Sequence, residues 1–185
     1  MKFYAPPDAL RAARALARLS QKELSDKIQA TRQSISAAEN DASAPFPTVS
    51  KMRGFYEEVG LQFVGVIDID TGTISAAGVC WRHPERFPPN QADSAKFHAE
   101  RHGVAFGAAR SLLGASRAEI SDKSELTLKD LAALESGGTY SGDEYLRLRA
   151  YFVEAGIEFM GVGDVRTGLY YGVGVRWTAP GRTTE

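Results

Sequence analysis

Leu19-Ser20-Gln21-Lys22-Glu23-Leu24-Ser25, then Ala30-Thr31-Arg32-Gln33-Ser34-Ile35-Ser36, then Glu39-Asn40, is the stretch on which the fold turns. Ser20 and Glu23 have the spacing of a capping box. The Ser20 hydroxyl can accept from the amide three residues on, and the Glu23 carboxylate can reach back. A short helix therefore follows Ser20 and ends near Ile28. Thr31 can cap another helix running to about Asn40, with Ile35 and Ala38 turned inward. The unit is two short helices joined by a turn of about three residues.

Working outward, Pro7-Asp8 suits the first turn of an earlier helix, on which Leu10, Ala13, Leu16 and Ala17 form an apolar stripe. Downstream, a loop with Pro45 and Pro47 leads to a helix expected over 48–59, and Gly60 ends it. The pattern then changes to period two. A strand from Leu61 to Ile69, a turn at Asp70-Thr71-Gly72 and a returning strand to Trp81 make a hairpin.

The whole arrangement recurs at an offset of 96 residues. Ala12-Ala13-Arg14 matches Ala108-Ala109-Arg110, Ser25-Asp26-Lys27 matches Ser121-Asp122-Lys123, and Gly78-Val79 matches Gly174-Val175. Residues 8–84 and 104–180 share 26 identities over 77 positions without a gap, which two unrelated segments would not produce. The expected fold class is mainly α with β-hairpins (α+β): two tandem domains, each of four helices followed by a hairpin. The first spans 1–82 and the second 104–180; a proline-containing linker covers 83–103, and 181–185 is a frayed tail. Within the linker, Pro84, Pro88 and Pro89 favour extended chain, and Ser94 to Arg101 is expected to form a short helix.

Composition narrows the function. The chain has 185 residues, 22 basic and 23 acidic side chains, and a net charge of −1, which argues against coating nucleic acid by bulk charge. One cysteine, Cys80, excludes an intrachain disulfide and a multi-cysteine zinc site. No apolar run is long enough to span a membrane, and Met1 to Pro7 lacks the apolar core of a signal peptide, so the cytoplasm is the expected compartment.

The residues quoted at the outset resemble the lambda-repressor-like, or Xre-type, helix-turn-helix family over about residues 8–59. The resemblance implies a bacterial or phage-type transcriptional regulator that binds double-stranded DNA and is associated with the nucleoid. The third helix would enter the major groove. Thr31, Arg32, Gln33, Ser34 and Ala37 are its candidate base contacts: arginine matches guanine, glutamine matches adenine, and a methyl group suits thymine. Gln21, Asn40, Lys51 and Arg14 are the candidate phosphate contacts. The resemblance also implies that Arg14 pairs with Glu39, and Arg110 with Glu135, as scaffold.

The copies are unequal. On the face equivalent to Arg32-Gln33-Ser34 the second carries Leu128-Lys129-Asp130. Residues 8–64 carry a net charge of +1 and residues 104–160 carry −3, so the first copy should dominate phosphate attraction. Arg117, Thr127 and Lys129 remain candidate DNA contacts of the second, whose other role would be pairing. A lone hairpin wants a partner. The two hairpins are expected to join edge to edge, either within one chain or between chains as a homodimer. Trp81 and Trp177 are expected to pack rather than stack on bases.

Other signals point nowhere sharp. His98 and His102 stand at i and i+4 without a third metal ligand, and Cys80 lies in a strand. Gly161-Val162-Gly163 and Gly172-Val173-Gly174 lack the helix that a phosphate cradle needs. No catalytic constellation, metal site or cofactor is expected, and the chain is not read as an enzyme. A different function class stays open: a protein-interaction module, anti-activator or antitoxin-like, or a chain that also meets a protein of the transcription machinery.

Overall fold

The computed structural model describes residues 5–90 and 94–178. The expectations for Met1 to Tyr4, for 91–93 and for the tail at 181–185 lie outside the described residues. Four helices come first: α1 Pro7–Leu16, α2 Gln21–Ile28, α3 Arg32–Asn40 and α4 Phe46–Glu58. The hairpin β1 Leu61–Ile67 and β2 Ile74–Trp81 follows, then a short strand, β3 Ala99–Glu100. The order repeats with α5 Phe106–Leu113, α6 Arg117–Ser124, α7 Leu128–Ser136, α8 Gly142–Glu154, β4 Ile157–Asp164 and β5 Leu169–Trp177.

Three expectations are corrected. The strand expected to reach Ile69 ends at Ile67, because the Asp68 carboxylate accepts from the amides of Asp70 and Thr71 and starts the turn early. The helix placed over 48–59 begins at Phe46, because Pro47 falls in its first turn, where a missing amide costs nothing. The short helix expected from Ser94 to Arg101 gives way to a strand at its end. Ala99 faces Tyr171 and Glu100 faces Tyr170 across an antiparallel pairing with β5. Local pattern could not show this, since the demand comes from a strand 70 residues away that has ladder bonds to fill.

The hairpins join within the chain. The sheet runs β1, β2, β5, β4, with β3 on the same side of β5 as β2. At the central seam Gly78 faces Arg176, Val79 faces Val175 and Cys80 faces Gly174. Adding 96 to one member of each pair and subtracting it from the other returns the same set. The seam is therefore a local twofold centred on Val79 and Val175, the self-complementary contact of a symmetric dimer made inside one chain. Gly78 and Gly174 make it possible: a Cβ on Gly78 would lie 2.2 Å from the Val175 carbonyl oxygen, and one on Gly174 would lie 2.3 Å from that of Val79. Bulges at Val64/Val66 and Met160/Val162 bend the outer strands at equivalent places.

One core runs through both halves. Leu10, Leu24, Ile35, Met52 and Leu61 belong to the same buried cluster as Phe106, Ile120, Leu131, Phe152 and Ile157. Each fully buried leucine or isoleucine contributes about 1.5–3 kcal/mol through burial. Helices α1 and α5 pack against each other, and their buried faces carry Ala9, Ala12 and Ala13 on one and Ala108 and Ala109 on the other. Small side chains let two helices approach closely. Polar bonds cross the same junction. Arg11 Nε donates to the Ser111 carbonyl at 3.0 Å, and Trp177 Nε1 donates to Asp8 Oδ2 at 2.6 Å.

The proline segment is tied down too. Pro84 and Pro89 are buried, and Arg166 Nη2 donates to the Pro89 carbonyl at 2.8 Å. Trp81 is buried with its ring stacked on His98 at 3.8 Å, and Trp177 is half-buried.

Candidate nucleic-acid interface

The unit formed by α2 and α3 is fixed at both ends and at the turn. The Glu23 amide donates to Ser20 Oγ at 3.2 Å, and the Ser20 amide donates to Glu23 Oε2 at 2.7 Å. That reciprocal bonding holds the Glu23 carboxyl below its ordinary pKa. Helix α2 ends at Gln29 in the left-handed region, φ 51°. Ser25 Oγ then donates to the Ala30 carbonyl at 2.6 Å, which sets the turn. The Ser34 amide donates to Thr31 Oγ1 at 3.1 Å and starts α3.

Behind α3 lies a small charged network. Glu39 is 1% exposed. Arg14 Nε lies 2.6 Å from Glu39 Oε1, and Arg14 Nη2 donates to Oε2 at 3.0 Å. Gln21 Nε2 donates to the same Oε2 at 2.9 Å, and Arg14 Nη1 donates to the Leu19 carbonyl at 3.1 Å. Burial works against the Arg14 charge, yet the hydrogen bond and the charge of Glu39 outweigh it and hold the guanidinium above its ordinary pKa. The network locks α1, the start of α2 and the end of α3 into one orientation. It also engages Arg14 and Gln21, two of the candidate phosphate contacts, from behind.

In front, α3 presents polar groups. Thr31, Arg32 and Gln33 are exposed, Ser34 and Ala37 are half-buried, and Ile35, Ala38 and Glu39 are buried. Arg32 and Gln33 have no hydrogen bond to any described residue. The hydroxyls of Thr31 and Ser34 bond to each other at 3.0 Å, so they act first as the helix cap. Asn40 Nδ2 folds back onto the Ser36 carbonyl at 2.7 Å, while Lys51 Nζ lies 3.5 Å from the Gln29 carbonyl, at the turn.

In the second half the scaffold repeats and the surface changes. Arg110 pairs with Glu135, and Arg117, in the place of Gln21, brings a second guanidinium to Glu135 at 2.7 Å. Thr127 caps α7 and is capped in return: its amide donates to Asp130 Oδ2 at 3.0 Å. Lys129 is exposed with no hydrogen bond to any described residue, whereas Leu128, in the place of Arg32, is 54% exposed. Leu146 replaces Ser50 and is 61% exposed.

Arg11 carries no signal of its own in the sequence and Asp8 reads there only as a helix start, although both join the halves. Their equivalents are Gly107 and Val104, and an alignment of the repeats flags the differences without saying what they touch. Among the described residues no group of three potential metal ligands is present, and no helix is long and apolar enough to cross a membrane.

Comparison with known families agrees with this geometry for the first half. Residues 10–62 match the helix-turn-helix family model, so this stretch is a helix-turn-helix domain of the Xre, lambda-repressor-like type, a class of DNA-binding regulators. The match covers α2, α3 and α4 and most of α1. No curated protein and no solved structure matches the chain.

Proposed function

We propose that the chain is a sequence-specific, double-stranded-DNA-binding transcriptional regulator in which α3 is the principal reading head. The observation that carries this reading is the pairing of a rigid back with an uncommitted front. Glu39, Arg14 and Gln21 hold α3 from behind, while Arg32 and Gln33 stand exposed at its N-terminal end, bonded to no described residue. In this motif the residues at that end reach base edges, and arginine and glutamine make two-pronged contacts to guanine and adenine. Thr31, Ser34 and Ala37 flank them; Asn40, Lys51 and the start of α2 at Gln21 contact phosphates. The two repeats act as tandem helix-turn-helix domains paired through the sheet. The second supplies the brace and a weaker DNA contact through Arg117, Thr127 and Lys129. This reading places the protein in the cytoplasm, on the nucleoid, with no catalytic role.

One observation favours a second reading for the second half alone. Leu128 and Leu146 expose apolar surface where the first half exposes Arg32 and Ser50. Exposed apolar groups on a helix-turn-helix scaffold suit a protein partner better than a phosphate backbone.

The test is fluorescence anisotropy with the DNA upstream of the gene itself and with a random-sequence duplex pool, at two salt concentrations. Wild type is run beside R32A/Q33A and K129A. A regulator with one reading head binds with a steep salt dependence and loses affinity in the first variant only. Absence of binding to any duplex in the pool would overturn the proposal and leave the protein-interaction module.

A further inference from the structure

Arg11 and Gly107 hold equivalent positions in the two repeats. Arg11 spans the junction: its guanidinium donates to the Ser111 carbonyl and also to the Glu39 carbonyl. It fills the corner between α1, the end of α3 and α5. Gly107 offers no side chain to the matching corner. The helix there also starts late, since α5 begins at Phe106, the equivalent of Leu10, whereas α1 begins at Pro7. The second half thus lacks an arginine and nearly a turn of helix. A cavity of about 600 Å³ stands in their place. Ala15 and Glu135, the equivalents of the two residues whose carbonyls hold Arg11, both line it.

The walls have a definite chemistry. Phe106, Tyr140, Tyr145 and Tyr170 contribute aromatic surface. The rings of Tyr140 and Tyr145 are stacked, 6.1 Å apart and 17° from parallel, and Phe106 meets Tyr145 edge-on at 5.5 Å. The first half has Ala44, Val49 and Ile74 where the three tyrosines stand. None of the three phenol hydroxyls bonds to a described residue. Both carboxylates of the wall are engaged: Glu100 by Arg18 at 3.0 Å and by His98 at 2.8 Å, and Glu135 by Arg110 and Arg117. Arg101, by contrast, lines the cavity with no hydrogen bond to any described residue. The volume lies within the usual range for small-molecule sites, and the inventory is aromatic faces, phenol hydroxyls, the His102 imidazole and one guanidinium, that of Arg101, with no partner among the described residues.

We propose that this cavity binds a small planar aromatic carboxylic acid. The ring packs against the tyrosine and phenylalanine wall, the carboxylate meets Arg101, and the hydroxyls of Tyr140 and Tyr170 offer further hydrogen bonds. Because Ala15, Leu16 and Arg18 come from the first half and the other walls from the linker and the second half, an occupant touches both. An effect of the acid on DNA binding would rest on the proposed function; the binding itself does not.

The experiment is isothermal titration calorimetry on the full chain without DNA, so that it stands or falls separately from the DNA-binding reading. The probes are benzoate, 4-hydroxybenzoate, phenylacetate and indole-3-carboxylate, each beside its neutral carboxamide. At least one acid should bind, and its carboxamide should bind roughly 10-fold more weakly, as expected on losing a charge-assisted pair. G107R, which restores the side chain that fills the equivalent corner, should abolish binding while keeping the wild-type circular dichroism spectrum. A Cβ at Gly107 meets nothing closer than 4.0 Å, so the added side chain has room. R101Q, at an exposed position with no fold at stake, should weaken the acid roughly 10-fold and leave the carboxamide unchanged. No binding by any of the four acids would overturn the proposal. So would equal binding of acid and carboxamide, or undiminished binding to a folded R101Q.

Discussion

In the first half, the helix that faces outward opens with Arg32 and Gln33, and a hydroxyl cap leaves both exposed and bonded to no described residue. In the second, the same helix opens with an exposed leucine, and its first-turn carboxylate is tied back to its own cap. What the halves share is equally specific: Arg14 and Arg110 on Glu39 and Glu135, Ser20 and Ser116 in capping boxes, Gly78 and Gly174 at the seam. The shared residues are buried, paired or crossed closely by backbone. The divergent residues at the start of this helix face solvent, while buried positions that differ, such as Tyr56 and Phe152, stay large and apolar. The scaffold therefore needs the same chemistry twice, and the surfaces are free to differ.

The comparison breaks first at the seam. G78V would drive a side chain into the Val175 carbonyl and the Arg176 backbone. Stability to urea should fall by about 3 kcal/mol or more, and both halves should lose structure together, because they share one core. A cost of only a few tenths would mean that the close approach is not real. The next effect is on DNA. R32A/Q33A should reduce affinity by roughly 30- to 150-fold, about 2–3 kcal/mol for two base-reading side chains, against roughly threefold for K129A. Equal losses would erase the distinction between the two reading surfaces.

A smaller effect concerns stability. Tyr56 is buried with its hydroxyl bonded to no described residue, and Phe152 fills the same place in the second half without one. Y56F should raise stability by about 0.5–1 kcal/mol in thermal unfolding, since it removes a desolvated polar atom. A loss would imply that the hydroxyl has a partner. The smallest expected effect is local and acid-dependent. Hydrogen bonds from Thr127 hold the Asp130 carboxyl below its ordinary value of 3.8. Its contribution is complete above that value and is lost as pH falls through the lowered one. The amide signals at the start of α7 should therefore move on acidification, while those at Thr31 to Ser34, capped by neutral hydroxyls, stay still. Matching titrations at the two sites would contradict the assignment of the caps.

Much of this was legible in order along the chain. Ser20 with Glu23, Thr31 and Gly60 announce helix ends because caps are local chemistry. The offset of 96 announces equivalent elements. What stayed hidden is contact between elements distant in sequence. The strand at Ala99 and Glu100 exists because β5 has bonds to fill, and Trp177 reaches Asp8 across 169 positions. The exposed and free state of Arg32 follows from a polar helix face, but the back-side commitment of Gln21 to Glu39 does not, since residue type alone cannot show which way an amide turns. The cavity was out of reach for a related reason: it is made of what the second repeat lacks.

The seam at Val79 and Val175 has one consequence beyond architecture. Two separate chains joined by such a contact would obey mass action and come apart on dilution. Here the partners are covalently linked, so their local concentration is fixed by the tether and the pairing holds at any copy number. A pair of identical subunits must also carry identical reading surfaces and so favours palindromes. A fused pair has no such obligation. If both halves of this protein meet DNA, the site they read together has no reason to be symmetric.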